Sequence, residues 1–177
     1  EMCIRDRACE NFMVLYQYRF RNFEYEFDVP SGLLPYGLPK NTLQPLIENY
    51  FVHGIDPTRE DNLFTIIGSS FVKNEVEYIC LEVSDNGLCI SQEKLEALRE
   101  KLSGNIYADK KEEGFALTNI NNRLKIVFGN DCSMNPSIPM DGAGFSMSLI
   151  FPKRLPVQLE EGMSRTVLEN RGGPGAR

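Results

Sequence analysis

The sequence has little of what marks several common classes of protein. Its five cysteines, Cys3, Cys9, Cys80, Cys89 and Cys132, are odd in number and include no Cys-x-x-Cys pair. That argues against a zinc site or a disulfide framework and fits a reducing compartment. No run reaches the roughly 18 apolar residues of a membrane span, and nothing at the start reads as a signal peptide, so the chain as given reads as soluble. There is no Gly-x-x-x-x-Gly-Lys-Ser/Thr loop, which disfavours a P-loop enzyme. Basic residues are outnumbered, 19 against 25 acidic, leaving a net charge of -6. The local Lys110-Lys111 pair is too short to reverse that, and the balance argues against a general nucleic-acid binder, which needs clustered Lys and Arg to neutralise phosphate. Only one histidine is present, His53.

What remains is an ordinary balance for one domain with loose ends: 177 residues, 42% hydrophobic and 25% charged. Residues 1–10 show no helical or strand period and read as an unstructured leader. Asn11 to Arg21, "NFMVLYQYRFR", reads as the end of a longer helix with Phe12, Leu15 and Tyr16 on one side. "NFEYEFDVP" alternates Phe23, Tyr25, Phe27 and Val29 with polar residues, the period of a half-buried strand, and stops at Pro30 and Gly32. An Asn41-initiated helix follows. Next, "LFTIIGSSFV" and "VEYICLEVSD" flank Lys73, Asn74 and Glu75 as an antiparallel hairpin ending at Asp85. "SQEKLEALREKLSG" predicts a helix with Ser91 as N-cap and Gly104 after its end. "NIYADKKEE" reads as a charged, mobile segment. "LTNINNRLKIVFG" predicts a helix with Leu117, Ile120, Leu124 and Val127 inward, stopping at Gly129. Strands near Asp131 to Ile138 and Gly144 to Pro152, joined by "PMDGAG", close the domain, and the Gly- and Pro-bearing residues 154–177 read as a disordered tail. The sum is an α/β two-layer sandwich, a mixed, largely antiparallel sheet on about three helices, spanning residues 22–153.

The helix "LQPLIENYFVHG" carries the first candidate site. Leu43, Leu46, Ile47, Tyr50, Phe51 and Gly54 fall on one face at i, i+3, i+4, i+7 spacing. Asn49 and His53, four apart, share another strip, while Glu48 is rotated about 100° from Asn49. An Asn carbonyl oxygen suits Mg²⁺, which takes few protein ligands and bridges phosphates, and a neighbouring Glu could orient or deprotonate a nucleophile there. A solvated helix face is the plain alternative. "DNGLCI", Asp85 to Ile90, makes a tight turn whose carboxylate could accept from an exocyclic amine such as adenine's, or is a simple Asn-Gly turn. Gly114 precedes a helix start whose amides could cradle phosphate. "DGAG" places Gly142 and Gly144 in a turn before the last strand.

Taken in order, these elements resemble the nucleotide-binding boxes of the GHKL ATPase superfamily. "QPLIEN...HG" with "SDNG" and "N...RL...FG" is most similar to the ATPase domain of LytS/YesM-type sensor histidine kinases, over about Tyr16 to Pro152. The resemblance implies a Bergerat-type sandwich that binds ATP under a flexible lid, here about Ser91 to Glu113. It implies Asn49 as the Mg²⁺ ligand, Glu48 as the acidic partner beside the phosphates, and Asp85 as acceptor for the adenine amine. Gly87 would let the base approach. His53 would lie near the nucleotide edge, Ile90 would be among the nucleotide-binding residues, Gly114, Leu117 and Asn119 would lie at the lid hinge and phosphate end, and Gly142 and Gly144 in the last box. Arg123 would be structural or lid-anchoring.

Implied partners are a dimerisation and phosphoacceptor helix, of which residues 11–21 would be the end, and a response regulator; the full-length protein would be a homodimer. Such kinases phosphorylate a histidine on the preceding helix, and no histidine precedes His53. The chain therefore reads as the catalytic portion, not autophosphorylating alone, of a membrane-anchored receptor with this domain in the cytoplasm. Departures from the pattern are Cys89 for the second Gly of Asp-x-Gly-x-Gly, Ala116 for Gly, Phe145 for Thr, and Val52 where a phosphate-reaching Lys is frequent. If Cys89 or Ala116 adopts positive φ, each costs about 1 to 2 kcal/mol. Two alternatives follow: a degenerate nucleotide-binding or interaction module of the same fold, or another GHKL ATPase such as an anti-sigma serine kinase.

Overall fold

Alternating apolar residues and one glycine-poor amphipathic helix after another build a sheet with a single covered face. The computed structural model describes residues 7–20, 22–104, 115–140 and 142–154. In chain order these are α1 (Arg7–Arg19), β1 (Phe23–Asp28), α2 (Leu43–Asn49) continued by a π turn (Tyr50–Gly54), β2 (Asn62–Lys73), β3 (Val76–Asp85), α3 (Gln92–Ser103), α4 (Phe115–Phe128), β4 (Ser133–Ser137) and β5 (Ser146–Pro152). The five strands form one sheet in the order β1-β2-β3-β5-β4. Only β1 and β2 are parallel, and the connection between them runs through α2, the crossover that parallel neighbours require. β2 and β3 form the expected hairpin, and its two-residue turn is Asn74-Glu75, at φ +50° and +64°, both left-handed as a type I′ turn demands.

The inward residues of the strands are Phe64 and Ile66 on β2, Ile79, Leu81 and Val83 on β3, Met134 on β4, and Met147, Leu149 and Phe151 on β5. All are buried in one core with Leu46 and Ile47 of α2 and Ile120 and Leu124 of α4. The α2 stripe read from the sequence is the buried face: Leu43, Leu46, Ile47, Tyr50, Phe51 and Gly54 are all inside. Burying such side chains stabilises by about 1.5 to 3 kcal/mol each.

Several expectations need correction. Among the described residues the first helix already covers Arg7 to Asn11, so residues 7–10 are helical rather than part of an unstructured leader. Its inward side carries Met13 with Phe12 and Tyr16, whereas Leu15 is 66% exposed. The phase is set by stacking of Tyr16 on Phe51, ring centroids 3.7 Å apart, a contact the α1 sequence cannot reveal. With α1 docked on α2 and β1, the described residues hold four helices beside the sheet, where about three were expected. α2 is not initiated by Asn41, which sits at φ +57°. Thr42 is the flanking residue, and its hydroxyl donates to Pro39 O at 2.6 Å instead of capping the helix. Ser91 is the N-cap of α3 as expected, accepting from Lys94 N. Gly129, at φ +66°, ends α4 and opens a 3-10 turn to Asp131, which delays β4 to Ser133. β5 starts at Ser146 because Gly144 holds a left-handed φ of +77°.

The lid expected over Ser91 to Glu113 is in its first half a packed helix, with Leu95, Leu98 and Leu102 of α3 buried. Residues 105–113, read as mobile, and Gly114 lie outside the described residues, as does the tail from 155 onward. The described residues just before it are tied down: Lys153 pairs with Glu77 at 2.6 Å, and Arg154 O accepts from Gly37 N at 2.8 Å.

Candidate functional site

The site forms where the C-terminal end of α2 meets the C-terminal end of β3. Ile55 N donates to Tyr50 O at 2.8 Å, an i to i-5 bond that widens the last turn of α2, and such turns recur at functional sites. The wider turn sets Gly54 beneath the loop that follows β3. There Leu88 N donates to Gly54 O at 2.6 Å, and a Cβ on Gly87 would lie 1.9 Å from that same oxygen. Gly87 is therefore small because two backbones meet at it; it sits behind the cavity wall, not on it. Asn86 pins the loop to β2, accepting from Leu63 N at 2.8 Å and donating to Asp61 O at 2.8 Å.

Asp85 closes β3 and is only 8% exposed. Oδ1 accepts from Gly87 N at 2.9 Å. Burial pushes its carboxyl up to about 6, against the backbone donors at Gly87 and Phe145 that pull it down. A buried acceptor of this kind gains most from a donor brought to it by a ligand. Tyr50 lies alongside, 2% exposed, its phenol pushed up by burial and by the Asp85 charge. The Tyr50 hydroxyl is buried with no hydrogen-bond partner.

Above this floor is an open cavity of about 570 Å³, within the usual range for small-molecule sites. Asn49 and His53 form one wall, α3 the other, and Asp85, Ile90, Leu117 and Phe145 complete it. The structure thus gathers Asn49, His53, Asp85, Ile90 and Leu117 of the expected set. It leaves others off the wall. Glu48 is half-buried and takes a bond from Gln44 Nε2 at 2.9 Å. Asn119 is exposed on α4 and Gly142 is exposed in the β4–β5 loop. Gly144 is buried behind Asp85, with its Cα so close that a Cβ would lie 2.0 Å from Asp85 O. Arg123, read as structural or lid-anchoring, donates to Lys40 O at 2.9 Å and Asn41 O at 2.6 Å, fastening α4 to the loop before α2.

The departures in sequence resolve physically. Neither Cys89 nor Ala116 has positive φ, so the strain considered for them is absent. Cys89 replaces the missing glycine by a bridge: its thiol donates to Gly142 O at 2.9 Å and accepts from Gly144 N at 3.2 Å, joining the Asp85 loop to the Gly-x-Gly loop. Val52 is 70% exposed and off the wall. Sequence reasoning missed the α3 contribution of Ser91, Lys94, Ala97 and Lys101. The spacing of three, three and four could have shown one helical face.

No protein-family model matches the chain. Sensor protein LytS from Streptococcus agalactiae is 33% identical over 118 residues, 67% of this chain and 18% of that protein. LytS from Oceanobacillus iheyensis is 33% identical over 127 residues, 71% of this chain and 20% of its own length. The catalytic domain of histidine kinase ThkA shares the fold at TM-score 0.52 and 18% identity, covering 82% of this chain and 91% of that domain. The chain is homologous to LytS sensor proteins over about two thirds of its length. It has the fold of a histidine kinase catalytic domain and spans about a fifth of the length of the LytS relatives it matches. Among the described residues no helix is long and apolar enough to cross a membrane.

Proposed function

We propose that this domain binds ATP in the cavity between α2, α3 and the Asp85 loop, as the kinase domain of a two-component sensor. The observation that carries the reading is the convergence of Asn49 and His53 from α2 with buried Asp85 from β3 on one cavity. Asp85 accepts from the adenine amine, using the carboxylate lone pairs that Gly87 N leaves free. Ile90, Leu117 and Phe145 supply the apolar contacts to the base, and His53 stands at the nucleotide edge. The γ-phosphoryl group passes to an imidazole nitrogen of a histidine outside this sequence: the bond from the β–γ bridging oxygen to the γ-phosphorus breaks, a P–N bond forms, and ADP leaves. Glu48, beside Asn49 but off the wall, is assigned to the acceptor side, where a carboxylate takes the imidazole proton.

The donor set also fits a magnesium ion. Among the described residues no group of three His, Cys, Asp or Glu could hold a metal by itself, and the Asn49 amide on the wall offers one neutral oxygen. That matches an ion held chiefly by water and phosphate, whose chemistry is to neutralise phosphate charge. The helix that dimerises and presents the acceptor, a response regulator that receives the phosphoryl group, and a membrane-anchored homodimeric receptor complete the proposal.

Calorimetric titration of a non-hydrolysable ATP analogue into residues 7–154, with and without Mg²⁺, tests it. Binding at micromolar to sub-millimolar affinity that strengthens with Mg²⁺ is expected. In Asn49→Ala the Mg²⁺ dependence is expected to disappear while the circular dichroism spectrum and melting temperature hold. Unchanged Mg²⁺ dependence in that variant would remove the metal-ligand assignment. Absence of binding by folded wild-type domain would leave the chain as an interaction module of the same fold.

A further inference from the structure

The cavity is electrically lopsided. Among the described residues lining it, the acid is Asp85, at the floor, and the full positive charges, Lys94 and Lys101, both come from α3. Val52 holds the α2 position where the family pattern often has a lysine, and it points outward at 70% exposure. A triphosphate nevertheless needs cationic contacts, and an ammonium group is a strong partner for phosphate oxygen.

α3 is placed to provide them. Ser91, Lys94, Ala97 and Lys101 form a single stripe along the helix that faces the cavity, next to the stripe of Leu95, Leu98 and Leu102 that anchors it. The anchoring is firm: Asn121 Nδ2 donates to Leu102 O at 2.7 Å, and Arg99 Nε donates to Pro136 O at 3.1 Å. Lys94 is one turn from the Asp85 loop. Lys101 is seven residues further along, about 10 Å at 1.5 Å rise per residue, so it serves the end of the cavity away from the adenine acceptor. It is also half-buried, where a charge interaction is screened less than at the surface.

We infer that Lys101, with Lys94 in support, is the phosphate-contacting cation of this domain. The inference rests on the proposed ATP-binding reading. It makes α3 a working wall of the site, and it predicts that affinity divides by phosphate number along this one helix. Adenosine, which has no phosphate, does not reach Lys101.

The test is titration of ATP, ADP and adenosine into wild type, Lys101→Gln, Lys101→Arg and Lys94→Gln at 50 and 300 mM salt. Lys101→Gln is expected to weaken ATP about tenfold, ADP less, and adenosine by less than twofold, with a shallower salt dependence for ATP. Lys101→Arg is expected to restore most of the loss, and Lys94→Gln to lose about threefold. Equal weakening of ATP and adenosine would mean that Lys101 only supports the fold, and it would overturn the inference. So would unchanged ATP affinity in Lys101→Gln with binding intact in wild type. Wild type that binds neither ATP nor adenosine would instead overturn the ATP-binding reading, and this inference with it.

Discussion

In Asp85→Asn the free domain is expected to become more stable while its affinity for ATP, ADP and adenosine falls together. The two effects have one cause. Burial raises the Asp85 carboxyl from 3.8 to about 6, so at pH 7 the native state holds a charge that water would solvate better. Between about pH 4 and 6 the native protein binds more protons at this group than the unfolded chain does. Stability from this group therefore falls as pH rises through that window, and the full penalty is present above it. The span from 3.8 to about 6 corresponds to about 3 kcal/mol at most. Asp56 and Asp61, held below the ordinary carboxyl range by hydrogen bonds from Thr58 and Arg59, act in the opposite sense only below about pH 4. Asparagine keeps an oxygen for Gly87 N and carries no charge. Urea denaturation at pH 7 should show an unfolding free energy higher by about 1 to 3 kcal/mol, with an unchanged slope. Binding should weaken about tenfold to a hundredfold, the worth of a hydrogen bond to a charged group. Wild-type affinity should likewise drop about tenfold per pH unit below 6, as the acceptor is protonated. A loss confined to ATP, sparing adenosine, would contradict the adenine role, and a less stable Asp85→Asn would contradict the burial argument.

A polar residue that costs stability stands out against the pattern around it, and this is why part of the site is legible in the sequence. Patterns that depend on neighbours in the chain can be read: the β1 alternation, the α2 stripe, the hairpin at Asn74-Glu75 and the stop of α4 at Gly129 are each set by local periodicity or by backbone requirements. Asn49, His53 and Asp85 are polar residues that interrupt or end such patterns. The rest depends on tertiary contact. Met13 rather than Leu15 faces inward because Phe51 stacks on Tyr16, and the order β1-β2-β3-β5-β4 follows from which edges remain to be paired. Lys94 and Lys101 have the sequence of an ordinary solvated face, which on most helices they would be. At Gly87 the sequence suggests room for a base, and the room is taken by the Gly54 carbonyl. At Cys89 it suggests strain, yet the thiol takes the place of a backbone turn by bonding both ends of the Gly142–Gly144 loop.

That loop carries the second large effect. Gly144→Ala is expected to destabilise the domain by about 4 kcal/mol or more, whereas Gly142→Ala costs about 1 to 2 kcal/mol. Both glycines are left-handed, at φ +76° for Gly142 and +77° for Gly144, so backbone strain alone would make them equal. Space separates them. A Cβ at Gly142 meets nothing within 4 Å, while one at Gly144 would lie 2.0 Å from Asp85 O and 2.6 Å from Asp85 Oδ1. Neither of those atoms yields easily. Asp85 N is bonded to Phe145 O at 2.9 Å, and Asp85 Oδ1 is held by Gly87 N at 2.9 Å. Relief would therefore open the end of the β3–β5 pairing and turn the carboxylate away from the cavity. Urea denaturation of both variants at pH 7 measures the difference. Where Gly144→Ala unfolds outright, the same substitution in the Asp85→Asn background, whose extra stability keeps more of the domain folded, should still show faster amide exchange at positions 85 and 145 than the Asp85→Asn parent. Equal cost at the two glycines would mean that the loop moves aside freely and does not hold Asp85 in place.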